Sequence, residues 1–347
     1  MSDVPSSAVA ADLEDDVTEF AFADDPFDAD DLTNFHFGSP AAPVPISLGP
    51  TSATPTSTAP TITTPSTSMP RYRLGELIGR GGMCEVLTVR DRLAGAGAPD
   101  LVAKRLRPEF RANPAAVATL EAQAALQARL DHPGVARFVD FVGEGGEALL
   151  IMERVPGGSL GRLLRETGGR GPGPDRVAAL LHSMAEALAH AHRQDIAHGD
   201  LKPGNILVGA DGRAKLVDFL PPAAPGTVAL TPAYASAARA GGAAPTPADD
   251  VFSFAVIAYE LLAGRHPFGR GAAAEALQTP PAPKGIRARQ WRALRRGLSA
   301  RAEERPADIV DFAAELAPKT GTRRPLIWAL AALALAGATI LLILLLR

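Results

Sequence analysis

Apolar residues recur along the middle of the chain in two different rhythms, strand-like first and helical later. Tyr72–Ile78 and Glu85–Arg90 read as two strands around a glycine turn, and Leu101–Arg105 as a short third strand. Ala115–Leu130 is Ala-rich and predicts a helix, followed by strand-like Arg137–Val142 and Ala148–Glu153. From Asp175 the period lengthens: Val177, Leu180, Leu181, Met184, Leu188 and Ala191 fall on one helical face. Asp250–Ala263 is apolar nearly all round, the pattern of a helix sunk in a core.

The two ends break this pattern in opposite ways. Residues 1–38 are acidic with five interleaved phenylalanines, and residues 39–69 hold 14 Ser/Thr and 7 Pro. Neither stretch buries enough apolar area to offset chain entropy, so residues 1–70 are expected to be a disordered arm. At the other end Leu326–Leu346 is 21 residues without a charge, long enough to cross roughly 30 Å of hydrocarbon, and is expected to be a transmembrane helix. Lys319, Arg323 and Arg324 precede it in a basic linker (319–325), which predicts the preceding domain on the cytoplasmic side. Only Arg347 follows, so no sensor outside the membrane is expected. The expected localisation is thus a single-pass membrane anchor with a lipid bilayer as partner and a globular unit over 71–318.

Charge sharpens this division. All 11 acidic residues of the first 70 positions stand without a Lys or Arg, whereas the remainder carries 35 basic against 27 acidic residues, a formal +8. The single cysteine, Cys84, excludes an intrachain disulfide and any multi-cysteine metal site.

Four elements of the middle region carry chemistry. The first is the run Ile78-Gly79-Arg80-Gly81-Gly82-Met83-Cys84-Glu85-Val86, whose glycines let backbone N–H groups approach phosphate oxygens; alone it equally describes a hairpin turn. The second is Lys104, on a short apolar strand 18 residues after Val86. The third is His198-Gly199-Asp200-Leu201-Lys202-Pro203-Gly204-Asn205, leading into apolar Ile206-Leu207-Val208. A carboxylate, a lysine two residues on and a carboxamide five on make a compact phosphoryl-transfer set: a proton acceptor, a neutralising cation and a Mg²⁺ ligand. The fourth is Asp218, at the end of apolar Leu216-Val217 and 13 residues after Asn205, as a second metal ligand.

In order and spacing the series resembles the protein-kinase signature set, in wording closest to bacterial Hanks-type Ser/Thr protein kinases. Further matches are Asp131-His132-Pro133, Ile151–Val155 with Gly157-Gly158-Ser159-Leu160, Thr231-Pro232-Ala233-Tyr234, Asp250–Phe268 and Arg305-Pro306, so that the resemblance spans about 71–316. It implies an α+β, bilobal kinase-like fold, with a β-rich N-lobe over about 71–153, an α-rich C-lobe over about 156–318 and ATP between them. It also implies roles. Asp200 is the base, Lys202 supports the γ-phosphate, Lys104 holds the α- and β-phosphates, and Asn205 and Asp218 bind Mg²⁺. Gly79, Gly81 and Gly82 roof the phosphates, and Ile78, Val86, Ala103 and Leu207 pack on adenine. Glu153 and Val155 offer backbone hydrogen bonds to adenine, Met152 is the gatekeeper, and Thr231 touches the catalytic loop.

Five positions depart from that pattern. Cys84 stands for the loop's third glycine and raises a redox-sensing thiol as one reading. Gln123 stands for the glutamate that pairs with the strand lysine. Gly199 stands for the arginine before the catalytic aspartate, and Leu220 for the glycine after Asp218-Phe219. Ser236-Ala237-Ala238 stands where Ala-Pro-Glu is expected, so Arg305 lacks its glutamate unless Glu303 or Glu304 reaches it.

The expected function is a membrane-anchored, cytoplasm-facing Ser/Thr protein kinase, with ATP and Mg²⁺ as cofactors. Protein substrates are expected, the chain's own arm among them, and no nucleic-acid partner. Two alternatives stay open: a pseudokinase scaffold acting through protein interactions, and a small-molecule phosphotransferase with the same His-Gly-Asp spacing.

Overall fold

The structure is a computed structural model that describes residues 71–95, 97–144, 147–221, 231–270 and 279–318. Its N-terminal part is an antiparallel five-stranded sheet: β1 (Tyr72–Arg80), β2 (Cys84–Asp91), β3 (Leu101–Leu106), β4 (Phe138–Glu144) and β5 (Glu147–Glu153), in spatial order β1-β2-β3-β5-β4. One helix, α1 (Pro114–Gln127), packs on it, opened by Asn113, whose side chain accepts from the Ala115 N–H at 3.0 Å. Its inner strands β3 and β5 are buried on both faces, which explains the unbroken apolar run of β5, whereas β1 is largely exposed. Ala148, Leu150 and Met152 face α1 beside its Ala116, Leu120 and Ala124, whereas Leu149 and Ile151 face a second cluster with Tyr72 and Val89.

The larger lobe is mainly helical. A small sheet, β6 (Gly157–Ser159), β7 (Ile206–Gly209) and β8 (Ala214–Leu216), lies at its top, followed by α2 (Leu160–Glu166), α3 (Pro174–His192), the short α4 (Ala237–Ala240), α5 (Pro247–Ala263), α6 (Ala288–Gly297) and α7 (Ile309–Leu316). The face of α3 predicted from its period is the buried one. Helix α5 is the hub: Val251 through Tyr259 are all buried, so it has no polar face to present to water. Its start is fixed by a capping box between Thr246 and Asp249, with Pro247 in the first turn. It ends at Gly264 (φ +70°), where a Cβ would lie 1.8 Å from the Gly169 carbonyl oxygen; only glycine fits.

Two expectations are corrected here. Arg305 does not lack a carboxylate. Asp249 takes that place, 3.5 Å from its guanidinium, while also accepting the Ser236 hydroxyl at 2.6 Å and the Thr246 hydroxyl at 2.6 Å. Glu303 instead pairs with Arg301 at the surface. The second correction concerns the membrane. Among the described residues no helix is long and apolar enough to cross a membrane. The segment 326–346 on which the transmembrane helix, the bilayer partner and the membrane localisation rested lies outside the described residues, as do the arm (1–70) and the basic linker (319–325). None of these is carried further.

Asp249 joins a helix cap, a hydroxyl and a buried arginine, so its removal strands several groups at once. Asp249→Ala is expected to destabilise the protein by about 3 kcal/mol in urea denaturation, against less than about 0.5 kcal/mol for Glu303→Ala. Equal effects would return Arg305 to the surface carboxylates.

Candidate active site at the seam between the lobes

The site is built where β3, α1 and the β7–β8 hairpin meet. Residues alternate faces along β3, so Lys104 shares a face with Val102 and Leu106, and Ala103 points the other way. The fully buried Lys104 reaches across to Asp218 (Nζ–Oδ1 2.8 Å) and to Gln123 of α1 (Nζ–Oε1 3.1 Å). Burial disfavours the ammonium, but Asp218, together with Cys84 and Asp200, outweighs burial and holds Lys104 above the ordinary lysine range. Gln123 does what a glutamate could not: its amide nitrogen donates to the Phe219 carbonyl at 3.3 Å while its oxygen accepts from Lys104.

The hairpin explains the spacing of Asn205 and Asp218. Ile206 sits opposite Leu216 in an antiparallel register, and the Val217 N–H donates to the Asn205 carbonyl at 3.1 Å, so the residues flanking the two strands are brought side by side. Asp218 leaves β8 in a left-handed conformation (φ +64°), strain of the kind that concentrates at functional sites. Next to it the Phe219 ring lies against His198, centroids 4.6 Å apart.

The catalytic loop hangs from α5. Buried Asp250 accepts the N–H groups of His198 (2.8 Å) and Gly199 (3.1 Å), and contacts His192 Nε2 at 2.8 Å. His198 is fully buried, and burial pushes its imidazole below the usual histidine range. As a neutral ring it donates from Nε2 to the Val217 carbonyl (2.9 Å) and accepts the Asp200 N–H at Nδ1 (3.4 Å). Asp200 is thereby aimed at Lys202 (3.0 Å) and Asn205 (Nδ2–Oδ2 3.2 Å). Lys202 donates to the Thr231 hydroxyl at 2.8 Å, and the Thr231 N–H approaches Asp200 at 3.4 Å. Two linked groups result, Lys104–Asp218 and Asp200–Lys202–Asn205–Thr231, held side by side by the Val217–Asn205 backbone bond and by His198. Asn205 keeps one buried oxygen, Oδ1, with no partner among the described residues. With the Asp218 carboxylate it offers two hard oxygen donors, which suits Mg²⁺, an ion that completes its shell with water and phosphate.

Over this set the glycine run forms the β1–β2 turn. Gly79 pairs with Val86, the Gly81 N–H donates to the Cys84 carbonyl at 2.7 Å, and Arg107 holds the Gly82 carbonyl at 2.9 Å. Ile78, Met83, Cys84, Val102, Met152 and Leu220 share one apolar cluster, with Val86 packed against it. Val155 and the flanking Leu207 belong to a separate small cluster at the seam, with Ala136 and Val217. Glu153 gives its N–H to the Arg137 carbonyl and its side chain to Lys215. Ala103 is the predicted residue that the fold does not bring here; Val102 takes its place, and strict alternation from Lys104 was the signal for it. Cys84 is no sensor: burial pushes its thiol up to about 11, so the reactive thiolate is absent at neutral pH.

The remaining departures are coupled. Gly199 is left-handed (φ +82°), and a Cβ there would meet Pro245 at 3.2 Å and Leu220 at 3.3 Å. Leu220 in turn donates its N–H to the His198 carbonyl at 2.9 Å and buries its side chain. The loss of a side chain at 199 makes room for the gain of one at 220.

Comparison with known proteins decides the family: the protein kinase domain profile matches residues 72–327. The chain belongs to the protein kinase domain family. Within this family it is 35% identical over 230 residues to the serine/threonine-protein kinase PknA of Mycobacterium tuberculosis, covering 61% of this chain and 52% of PknA. It is 32% identical over 262 residues to PkaA of Streptomyces coelicolor, covering 68% of this chain and 48% of PkaA. The chain thus spans about half the length of these curated relatives. The crystal structure of the M. tuberculosis PknI kinase domain superposes with a TM-score of 0.59 at 24% identity, covering 72% of this chain and 96% of that one, and shares the fold. The resemblance to bacterial Hanks-type Ser/Thr kinases is borne out, and with it, in general terms, a kinase domain's need for a nucleotide and a metal ion.

Coupling between the catalytic and metal loops of this kinase domain is measurable. Gly199→Ala is expected to cost about 2 kcal/mol, from left-handed strain and crowding. A double-mutant cycle with Leu220→Gly should return a coupling above about 0.5 kcal/mol. Additive effects in denaturant melts would show that the two departures are independent.

Proposed function

We propose that the chain is an ATP-dependent Ser/Thr protein kinase, transferring the γ-phosphate of ATP to a hydroxyl of a protein substrate. The observation that carries this reading is the placement side by side of two linked groups, Lys104–Asp218 and Lys202–Asp200–Asn205, which the Val217 N–H joins through the Asn205 carbonyl. Bound MgATP supplies the phosphoryl group and a metal that neutralises charge on it. The chain does the rest by placement. Lys104 orients the α- and β-phosphates from β3, and Gly79, Gly81 and Gly82 lie over them. Asn205, through its unpartnered oxygen, and Asp218 hold the metal. Ile78, Val86, Val102 and Leu207 flank adenine, and the backbone at Glu153 and Val155 meets its edge.

Asp200 accepts the proton of the attacking hydroxyl as the new oxygen–phosphorus bond forms and the bond to the β-phosphate oxygen breaks, releasing ADP. Lys202, held between Asp200 and Thr231, neutralises charge on the moving phosphoryl group. Gln123 gives no negative charge to Lys104, but Asp218 does so, and Gln123 fixes the Phe219 carbonyl in exchange. The departures that favour a scaffold in the bare sequence thus have partners in the fold.

The test is phosphate incorporation by the full chain, into itself and into a generic protein acceptor. Asp200→Asn is expected to lower the rate by about 10³-fold while ATP affinity stays within about threefold. Equally poor incorporation by wild type and variant, with ATP still raising the melting temperature, would make the protein a nucleotide-binding scaffold.

A further inference from the structure

Behind the catalytic loop, on the side away from the seam, lies a cation to which the proposed reaction assigns no part. Arg239 of α4 is only 7% exposed. One terminal nitrogen donates to the Gly199 carbonyl at 3.4 Å and the other to the Ala243 carbonyl, while Nε has no partner among the described residues. No carboxylate forms a contact ion pair with it among the described residues, although Asp249, Asp200 and Asp250 all act on it electrostatically.

Each of these carboxylates is committed elsewhere: Asp249 to Thr246, Ser236 and Arg305, Asp250 to His192 and the loop N–H groups, Asp200 to Lys202 and Asn205. A buried guanidinium with neutral contacts only is costly. The field of three acids converging under one loop offsets part of that cost. Arg239 and all three carboxylates, Asp200, Asp249 and Asp250, line one small cavity under Gly199.

The loop itself cannot provide this charge. Residue 199 is left-handed, and Pro245 and Leu220 close off the space in which a side chain would start. We propose that Arg239 is the positioning residue of the catalytic loop: it grips the Gly199 carbonyl from below and provides, from α4, the positive charge that balances Asp200 and its two acidic neighbours. Asp250 holds the N–H groups of residues 198 and 199 from α5, and Arg239 holds the carbonyl of 199 from α4. The peptide planes on either side of Gly199, one residue before Asp200, are thereby fixed from two helices. The backbone freedom that glycine would otherwise give the loop is removed.

This inference rests on the phosphotransfer reading for its kinetic consequence but not for its structural one, and the experiment separates the two. In the full chain, Arg239→Met and the uncharged donor Arg239→Gln are compared with Arg239→Lys. The expected result is a kcat lower by about 10- to 100-fold in the Met and Gln variants, KM for ATP within about twofold, and substantial recovery in the Lys variant. Amide hydrogen exchange of residues 197–202 should accelerate in Met and Gln but not in Lys, and exchange in α5 should not change. Faster loop exchange in the Met and Gln variants, with a wild type that transfers no phosphate, would overturn the kinase reading and keep the positioning role. Unchanged loop exchange in Arg239→Met would overturn the positioning role, as would Met and Lys variants that lose activity alike or lose it through KM.

Discussion

The Lys104–Asp218 ion pair is the contact on which the arrangement depends. It joins the middle strand of the small lobe to the end of a hairpin in the large one, with both partners buried. Two charges taken out of water at such a seam are tolerable only because each satisfies the other and Gln123 completes the lysine's contacts. Everything around the pair serves to fix it: α1 brings Gln123, β8 delivers Asp218 in a left-handed turn, and α5 suspends the neighbouring catalytic loop from Asp250. The pair also provides its own replacement chemistry. An ammonium that holds a carboxylate can hold phosphate oxygens instead, and a carboxylate released from it can hold a metal.

The second theme is compensation by position rather than by residue type. Leu220 fills the room that a side chain at 199 would need, Asp249 answers Arg305 in place of a glutamate near residue 238, and Gln123 trades a charge for a second hydrogen bond. Each substitution read singly suggests decay of a phosphotransfer site. Read with its spatial neighbour, each preserves the position of Asp200, Asp218 or the buried base of the large lobe. Such pairing is what a fold under constraint to hold a few atoms in place produces, since buried polar groups left without partners are costly.

Much of this was legible in the chain. The long periodic faces of α3 and α5, the strand–glycine–strand opening and the Asp200–Asn205–Asp218 spacing all follow local rules, and the fold obeys them. What failed was non-local or a matter of face. The family resemblance put Ala103 on adenine, whereas a strand turns every second residue away; its side chain lies with Tyr72 and Ile151, on the other face of the sheet. The partnership of Asp249 with Arg305 spans 56 positions and depends on how α5 meets the segment before α7, which no periodicity encodes. The burial of Arg239 has no local signal in the chain, because only the packing of α4 under Gly199 produces it. The membrane expectation, drawn from the length of an uncharged apolar run and its basic flank, rests on a segment outside the described residues and finds no counterpart among the described helices.

Asp218, drawn from Lys104, is proposed to become a ligand of a metal carried in with nucleotide. Titration calorimetry of the full chain with ATP, with and without Mg²⁺, tests that claim most directly. Magnesium is predicted to tighten ATP binding by the wild type, and Asp218→Asn is predicted to abolish that gain while leaving the metal-free affinity nearly unchanged. Wild-type binding that is equally tight with and without Mg²⁺, or a magnesium gain that survives Asp218→Asn, would contradict it.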